Sequence, residues 1–200
     1  MLMLASCASG ELDEKAADPC GISPSSEEEA LVRELLGTEA FETKAYGTTS
    51  KLVDKFKRAL PVLRPEKHIF YTNACGYSTD DEQGDARMTF VPGWFLRASE
   101  VPSFPGDVSY DLNGARGVTS GTRTALFVPC DMPGELGSQS QKAWLTADIT
   151  FTPSRPDADQ AAQGRRMTLA YLMARRVTDA LGCENEPLAK PPVVKPLPTP

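Results

Sequence analysis

Thiols are the reactive groups this chain supplies in number: Cys7, Cys20, Cys75, Cys130 and Cys183. No two have the Cys-x-x-Cys spacing of a zinc ribbon or a thioredoxin-like site. His68 is the single histidine, so a mixed Cys/His metal site lacks ligands. The same scarcity bears on nucleophilic catalysis, because Ser-His-Asp and Cys-His sites need an imidazole base. His68 follows Lys67 at the head of an expected strand and reads as a partly exposed strand-end residue. No Gly-x-Ser-x-Gly elbow, Walker loop or Gly-x-Gly-x-x-Gly fingerprint occurs. Among the carboxylates, Asp80, Asp81, Glu82 and Asp85 could offer oxygens to Ca²⁺, which takes about six to eight. They lack the alternating spacing of an EF-hand and read as a solvated turn. Asp107, Asp111 and Asp148 could supply the two acids of a glycosidase-like hydrolase, but nothing in their spacing brings them together. Neither a metal nor another cofactor is expected.

Cys7 stands apart from the other thiols. Leu4-Ala5-Ser6-Cys7 resembles a bacterial lipobox, an aliphatic and two small residues before a cysteine whose thiol carries a diacylglycerol after cleavage. Only Met1-Leu2-Met3-Leu4 precede Ala5, whereas a full signal has a basic n-region and an apolar run of roughly 7–15 residues. Residues 1–7 are therefore read as the remnant of a lipoprotein signal whose true start lies upstream. Residues 8–18 are small and charged and read as a flexible tether. No segment approaches the ~20 apolar residues of a membrane span. The formal net charge is −6, which disfavours nucleic-acid binding and attraction to anionic lipid. Membrane lipid is then held through acylated Cys7, since two acyl chains give stable attachment where one is marginal.

Removing Cys7 leaves four cysteines, an even number that suits two disulfides in an oxidising compartment. Of the three pairings, Cys20–Cys75 and Cys130–Cys183 are expected. The first would pin the start of the domain to an early strand, the second a later strand to the end of the last helix.

The elements that must position these residues follow from periodicity. At the N-terminus, Ser23 to Ser26 offer caps before Glu27-Glu28-Glu29; Ala30, Leu31, Leu35 and Leu36 make a helical stripe, and Gly37 stops it. A second helix starts near Thr49 or Ser50, buries Leu52, Val53, Phe56, Ala59 and Leu60, and ends at Pro61. Its other face, with Lys51, Lys55, Lys57 and Arg58, reads as solvated on an acidic protein. Ile69 to Tyr77 and Met88 to Leu96 read as a hairpin, its return strand broken near Pro92-Gly93. Residues 99–117 read as a long loop with a short strand at Val108 to Leu112. Arg123 to Cys130 reads as a strand, Asp131 to Gln141 as turns. Along Ala143 to Thr152, Leu145, Ala147, Ile149 and Phe151 alternate with Trp144, Thr146, Asp148 and Thr150, which predicts one core face and one solvated face. A long helix over Asp157 to Leu181 carries Leu169, Leu172, Met173, Val177, Ala180 and Leu181 on one stripe, with Arg165, Arg166, Arg175 and Arg176 on the surface. Helices at both ends and strands between predict an α+β fold, an antiparallel sheet packed against N-terminal and long C-terminal helices. Residues 19–183 form its single globular domain, and the Pro-rich residues 184–200 read as a disordered tail.

Large side chains remain as recognition candidates: Trp94, Tyr110 and Trp144, with Phe95 and Phe104 nearby. Trp and Tyr are enriched where proteins bind one another, and Trp144 falls on the non-core face of its strand.

The lipobox, the tether, the Asp18-Pro19-Cys20 opening, Asn73-Ala74-Cys75 within a strand and the closing amphipathic helix together resemble small secreted actinobacterial lipoproteins of unassigned activity. The likeness covers most of residues 7–183, and the chain departs from it by its second cysteine pair. It implies an envelope location and transfers no functional residue beyond Cys7. The expected function is non-enzymatic: a lipid-anchored domain on the extracytoplasmic face of the cell membrane, binding a partner protein or small ligand as a receptor, sensor or accessory subunit of a membrane complex. An envelope hydrolase using paired carboxylates and a structural cell-wall-associated lipoprotein are the alternatives.

Overall fold

The computed structural model describes residues 20–79, 86–99, 107–152 and 159–197. Cys7 and its tether, the acidic cluster Asp80, Asp81, Glu82 and Asp85, and Phe104 lie outside the described residues.

Helix α1 (Glu27–Leu36) starts where Ser26 accepts a hydrogen bond from the Glu29 N–H and ends at Gly37, whose φ of 73° closes the last turn. It buries Leu31, Val32 and Leu36, while Ala30 of the expected stripe is exposed. Strand β1 (Glu42–Ala45) follows, exposed throughout and without the alternation that would reveal it. Helix α2 (Thr49–Ala59) is capped by Thr48, buries Leu52, Phe56 and Ala59, and runs into a 3-10 turn at Leu60–Val62 that contains Pro61.

Strands β2 (Ile69–Tyr71) and β3 (Cys75–Ser78) both pair with β4 (Arg87–Leu96). Tyr71 faces Gly93 and Cys75 faces Phe90, so residues 72–74 oppose only Val91 and Pro92. The extra residue is a β-bulge. The expected break therefore lies in the partner strand, while β4 runs unbroken through Pro92. A strand residue's N–H and C=O point to the same neighbour, and the Pro92 carbonyl accepts from the Thr72 N–H. Its missing donor thus faces the bulge, where the ladder is already interrupted.

Strands β5 (Val108–Leu112) and β6 (Ala115–Thr119) form a hairpin across Asn113 and Gly114, at φ 56° and 93°. Asn-Gly is the preferred pair for such two-residue turns, and residues 113–117 are thus not the loop expected of them. Strand β7 (Arg123–Val128) leads through a 3-10 turn and the short helix α3 (Gly137–Ser140) to β8 (Ala143–Thr152), and strand β9 (Lys195–Pro196) closes the far edge. The order is β1-β3-β4-β8-β7-β6-β5-β9, with β2 also on β4, and every pairing among these strands is antiparallel. The longest ladder joins β4 and β8 over ten residue pairs, both strands lying inside the sheet.

Helix α4 (Gln160–Leu181) is capped by Asp159, which accepts from the Ala162 N–H at 2.7 Å. It packs on β6, β7 and β8 and against α1, burying Met167, Leu169, Met173, Val177 and Leu181. Arg166, expected on the surface, is 3 % exposed. Its guanidinium donates to the Ser120 and Gly121 carbonyls and lies over the Phe151 ring at 4.4 Å. Arg176 and Arg165 do reach outward, pairing with Glu28 and Glu34 of α1.

Both expected disulfides are present, Cys20–Cys75 and Cys130–Cys183, with Cα separations of 5.4 and 5.1 Å. The fold is α+β, stapled at both ends. Residues 184–197 dock on the domain where a disordered tail was expected. The Asn185 side chain brackets the second disulfide, donating to the Pro129 carbonyl and accepting from the Asp131 N–H. Leu188 is 1 % exposed within the core, and β9 pairs with β5. Proline removes donors, but an edge strand needs them on one side only, so a Pro-rich segment can still dock.

Candidate functional site

The sheet face opposite α4 departs most from expectation. Leu145, Ala147, Ile149 and Phe151 are buried on the helix side of β8 as predicted, yet Thr146 and Asp148 on the other side are only 0 % and 4 % exposed. They are enclosed because Phe95, Ala125 and Phe127 form a second apolar cluster there, with Ile69 and Trp144 packed on it. Register explains the assembly: Phe95 pairs with Trp144, Phe127 with Thr146 and Ala125 with Asp148 across β4, β8 and β7. Phe95 meets Phe127 and His68 edge to face at centroid distances of 5.8 and 5.6 Å. The lone histidine is therefore a packing residue, its Nδ1 3.1 Å from the Pro65 carbonyl.

Beside this cluster Arg123 donates through Nε to Asp148 Oδ1 at 2.6 Å, and its Nη2 approaches the same oxygen at 2.5 Å. Both nitrogens converge on Oδ1, leaving buried Oδ2 without a hydrogen-bond partner. Burial pushes the Asp148 carboxyl above its ordinary pKa, against the opposing pull of Arg123 and Tyr71. Burial likewise works against the Arg123 charge, but Asp148 outweighs it and the guanidinium is held more firmly protonated. Tyr71, opposite Gly93 on the neighbouring strand pair, is raised by burial and by the Asp148 charge. It sits close enough to influence both partners without completing the hydrogen bonding of Oδ2.

Trp144 lies at the other end of the cluster, half-buried. The Arg97 guanidinium stacks over its ring at 4.2 Å and Arg116 approaches at 5.9 Å. Arg97 is steadied by a hydrogen bond to the Ala143 carbonyl at 3.0 Å. Both arginines are exposed, and a guanidinium on a Trp face is a favourable cation–π pair. The face thus presents an aromatic platform clamped by two cations, with Tyr71 and Arg123 beyond it.

Of the three recognition candidates, Trp144 alone reaches solvent. Trp94 is 0 % exposed, its Nε1 donating to the Phe56 carbonyl at 3.2 Å. Tyr110 is 1 % exposed with a buried hydroxyl that finds no partner, and burial raises its pKa. Both point to the helix side, where strand alternation places even-numbered residues of β4 and β5. The sequence reading missed Tyr71, Arg97, Arg116 and Arg123, which only the strand register brings to one face. The acids do not converge. Asp107 and Asp111 flank and lie on β5, three strands from β8, hence about 14 Å from Asp148 at ~4.8 Å per strand. The carboxyl pair of an inverting glycosidase spans at most about 9.5 Å. Among the described residues, no group of three or more His, Cys, Asp and Glu side chains could hold a metal.

Fold and site together define a disulfide-stapled α+β domain whose second sheet face carries an arginine-clamped tryptophan. No family model matches the chain, and neither curated proteins nor solved structures give a match. No helix among the described residues is long and apolar enough to cross a membrane. The two disulfides suit an oxidising compartment.

Proposed function

We propose that this chain is a non-enzymatic cell-envelope domain, anchored in the membrane through acylated Cys7, that binds a partner protein through the sheet face around Trp144. It acts as a receptor, sensor or accessory subunit of a membrane complex. The observation that carries the reading is the Arg97–Trp144–Arg116 stack, with Tyr71, 38 % exposed, at the far end of the same cluster beside Arg123 and Asp148. Trp, Tyr and Arg are the residues in which binding hot spots are enriched. A flat sheet face of rigid aromatic and guanidinium groups suits a protein surface bearing carboxylates better than a small ligand. The wide separation of Asp148 from Asp107 and Asp111 weighs against the paired-carboxylate hydrolase. The disulfides support the extracytoplasmic address, and the lipobox supplies the anchor.

The test is affinity capture of the lipidated protein from its native membrane, with Trp144→Ala and Arg116→Glu in parallel. A stoichiometric partner should be retained by the wild type and weakened roughly 30-fold or more by loss of a hot-spot tryptophan. Equal recovery by both variants, or recovery of nothing by the wild type, sinks the proposal. The intact mass of the membrane form checks the anchor in the same preparation, since an unmodified Cys7 removes it.

A further inference from the structure

Charge on this molecule is segregated. Residues 44–67 carry seven Lys or Arg against two acids, Asp54 and Glu66, a local charge of +5 on a chain of −6 that leaves −11 for the remainder. Four of the seven cations line two adjoining surface depressions. Lys55, Arg58 and Lys67 line a shallow groove of about 290 Å³ floored by Leu63 and Phe70 and rimmed by Val62, which is 47 % exposed. Lys55 also borders a smaller adjoining pocket with Lys51 and the exposed Tyr46. No carboxylate lines either, and among the described residues none of these four cations forms an ion pair with an acid. A helix face serving solubility alone would intersperse its charges. Cations grouped around exposed apolar side chains are instead the composition of an interfacial surface.

The surface also adjoins the point where the chain enters the fold, and on the proposed Cys7 anchor it stands within reach of a membrane. Ala74 lines the smaller pocket, and its carbonyl oxygen lies 3.1 Å from Cys20 Sγ, beside the Cys20–Cys75 disulfide. Cys20 is where the described chain enters the fold. Twelve residues separate it from Cys7, a span of at most about 45 Å.

We infer that the basic face of α2, with its groove, docks on an anionic lipid bilayer, the cations meeting headgroups while Val62 and Tyr46 enter the interface. The docking goes beyond the proposed anchor and orients the domain, turning the acidic remainder of the molecule to the aqueous side. Each Lys or Arg near an anionic leaflet strengthens binding about fivefold, and the interaction is screened over roughly 10 Å at 0.1 M salt.

The experiment uses the full chain with Cys7→Ser, so that no acyl chain contributes and failure of the anchor cannot be mistaken for failure of this surface. Sedimentation is measured with vesicles of phosphatidylcholine alone and with about 30 mol% phosphatidylglycerol. Binding is expected only to the anionic vesicles, falling at least tenfold when salt is raised to about 0.5 M. The triple variant Lys55→Glu, Arg58→Glu, Lys67→Glu should weaken it roughly 100-fold or more, while Lys142→Glu, an exposed lysine elsewhere, leaves it within twofold. Unchanged circular dichroism and melting of the triple variant establish that folding is intact. No binding to anionic vesicles, equal binding to neutral ones, or retention by the triple variant overturns the docking surface. Binding only to a soluble anionic polymer, added as a competitor, overturns it in favour of a wall ligand.

Discussion

The Arg123–Asp148 pair sets a buried carboxylate against a single guanidinium beside the outer apolar cluster. Asp148 is almost fully enclosed, and among the described residues Arg123 is the one cation paired with it. Removing one member of such a pair leaves an uncompensated buried charge, whereas neutralising the buried member leaves none. Arg123→Ala is therefore expected to cost about 2 kcal/mol near pH 7.5, the Arg123 side chain being one-third exposed and the figure being that of an unsatisfied buried charged group. Asp148→Asn should cost less, and the double variant should recover most of the Arg123→Ala loss. The pH dependence has a definite sign. The folded-state pKa of Asp148 lies above its ordinary value, so the ionised form is the disfavoured one in the fold. Its contribution is full when the carboxyl is protonated and is lost as pH rises from the ordinary carboxylate range through the folded value. Without Arg123 that window moves upward. Urea titrations at pH 5 and pH 7.5 should show a smaller deficit of Arg123→Ala at pH 5, and equal deficits at the two values would refute the buried-charge account.

At the scale of elements, two glycines make opposite predictions. Gly93 sits in β4 where an added Cβ would come 2.0 Å from the Phe70 carbonyl oxygen and 2.6 Å from Tyr71 Cδ1. Since the nearer obstacle is backbone, the β2–β4 ladder must separate, and Gly93→Ala should destabilise by about 3 kcal/mol, the upper end of overpacking costs. Gly164 lies inside α4 with nothing within 4 Å of its added Cβ, so Gly164→Ala should stabilise by roughly 0.5–1 kcal/mol through helix propensity. Denaturant midpoints distinguish the two, and a neutral Gly93→Ala would mean that the ladder is looser than described. The contrast marks what could be read from sequence. Helices α1, α2 and α4 were legible because capping side chains and apolar stripes, with terminal glycines on α1 and α4, act within a few residues. Strand β8 was legible because its alternation spans ten positions. Strand β1 was not, having no buried side, and the β5–β6 turn was overlooked although Asn113-Gly114 announces it. The solvated face predicted for Thr146 and Asp148 failed for a different reason. Polar residues say nothing of the aromatic neighbours that register brings over them from β4 and β7, and the site containing Arg97, Arg116 and Arg123 is assembled by that same register.

Across the whole molecule, stability rests on how the ends are held. The disulfides span sequence separations of 55 and 53 residues, each worth up to about 4 kcal/mol by the chain-entropy account. Cys183 fixes the end of α4, and the chain beyond it continues the attachment. The Glu184 N–H donates to the Asp131 carbonyl, the Tyr171 hydroxyl donates to the Lys190 carbonyl at 2.8 Å, and the Leu197 N–H donates to the Ser109 carbonyl. Deleting residues 187–200 keeps both disulfides, so it isolates the contribution of this strap. The deletion removes buried Leu188 from the core and leaves the Tyr171 hydroxyl without its acceptor. Loss of a buried leucine alone costs about 2–5 kcal/mol, which for a domain of this size corresponds to a fall in Tm of roughly 4–20 °C. It also uncovers β5, turning a paired strand into an open edge that can recruit other chains. Calorimetry under non-reducing conditions should register the lower Tm, and light scattering should register self-association of the truncated chain. An unchanged Tm with a monodisperse sample would mean that residues 187–200 contribute nothing to the fold, and Leu188 would then have to be exposed in solution.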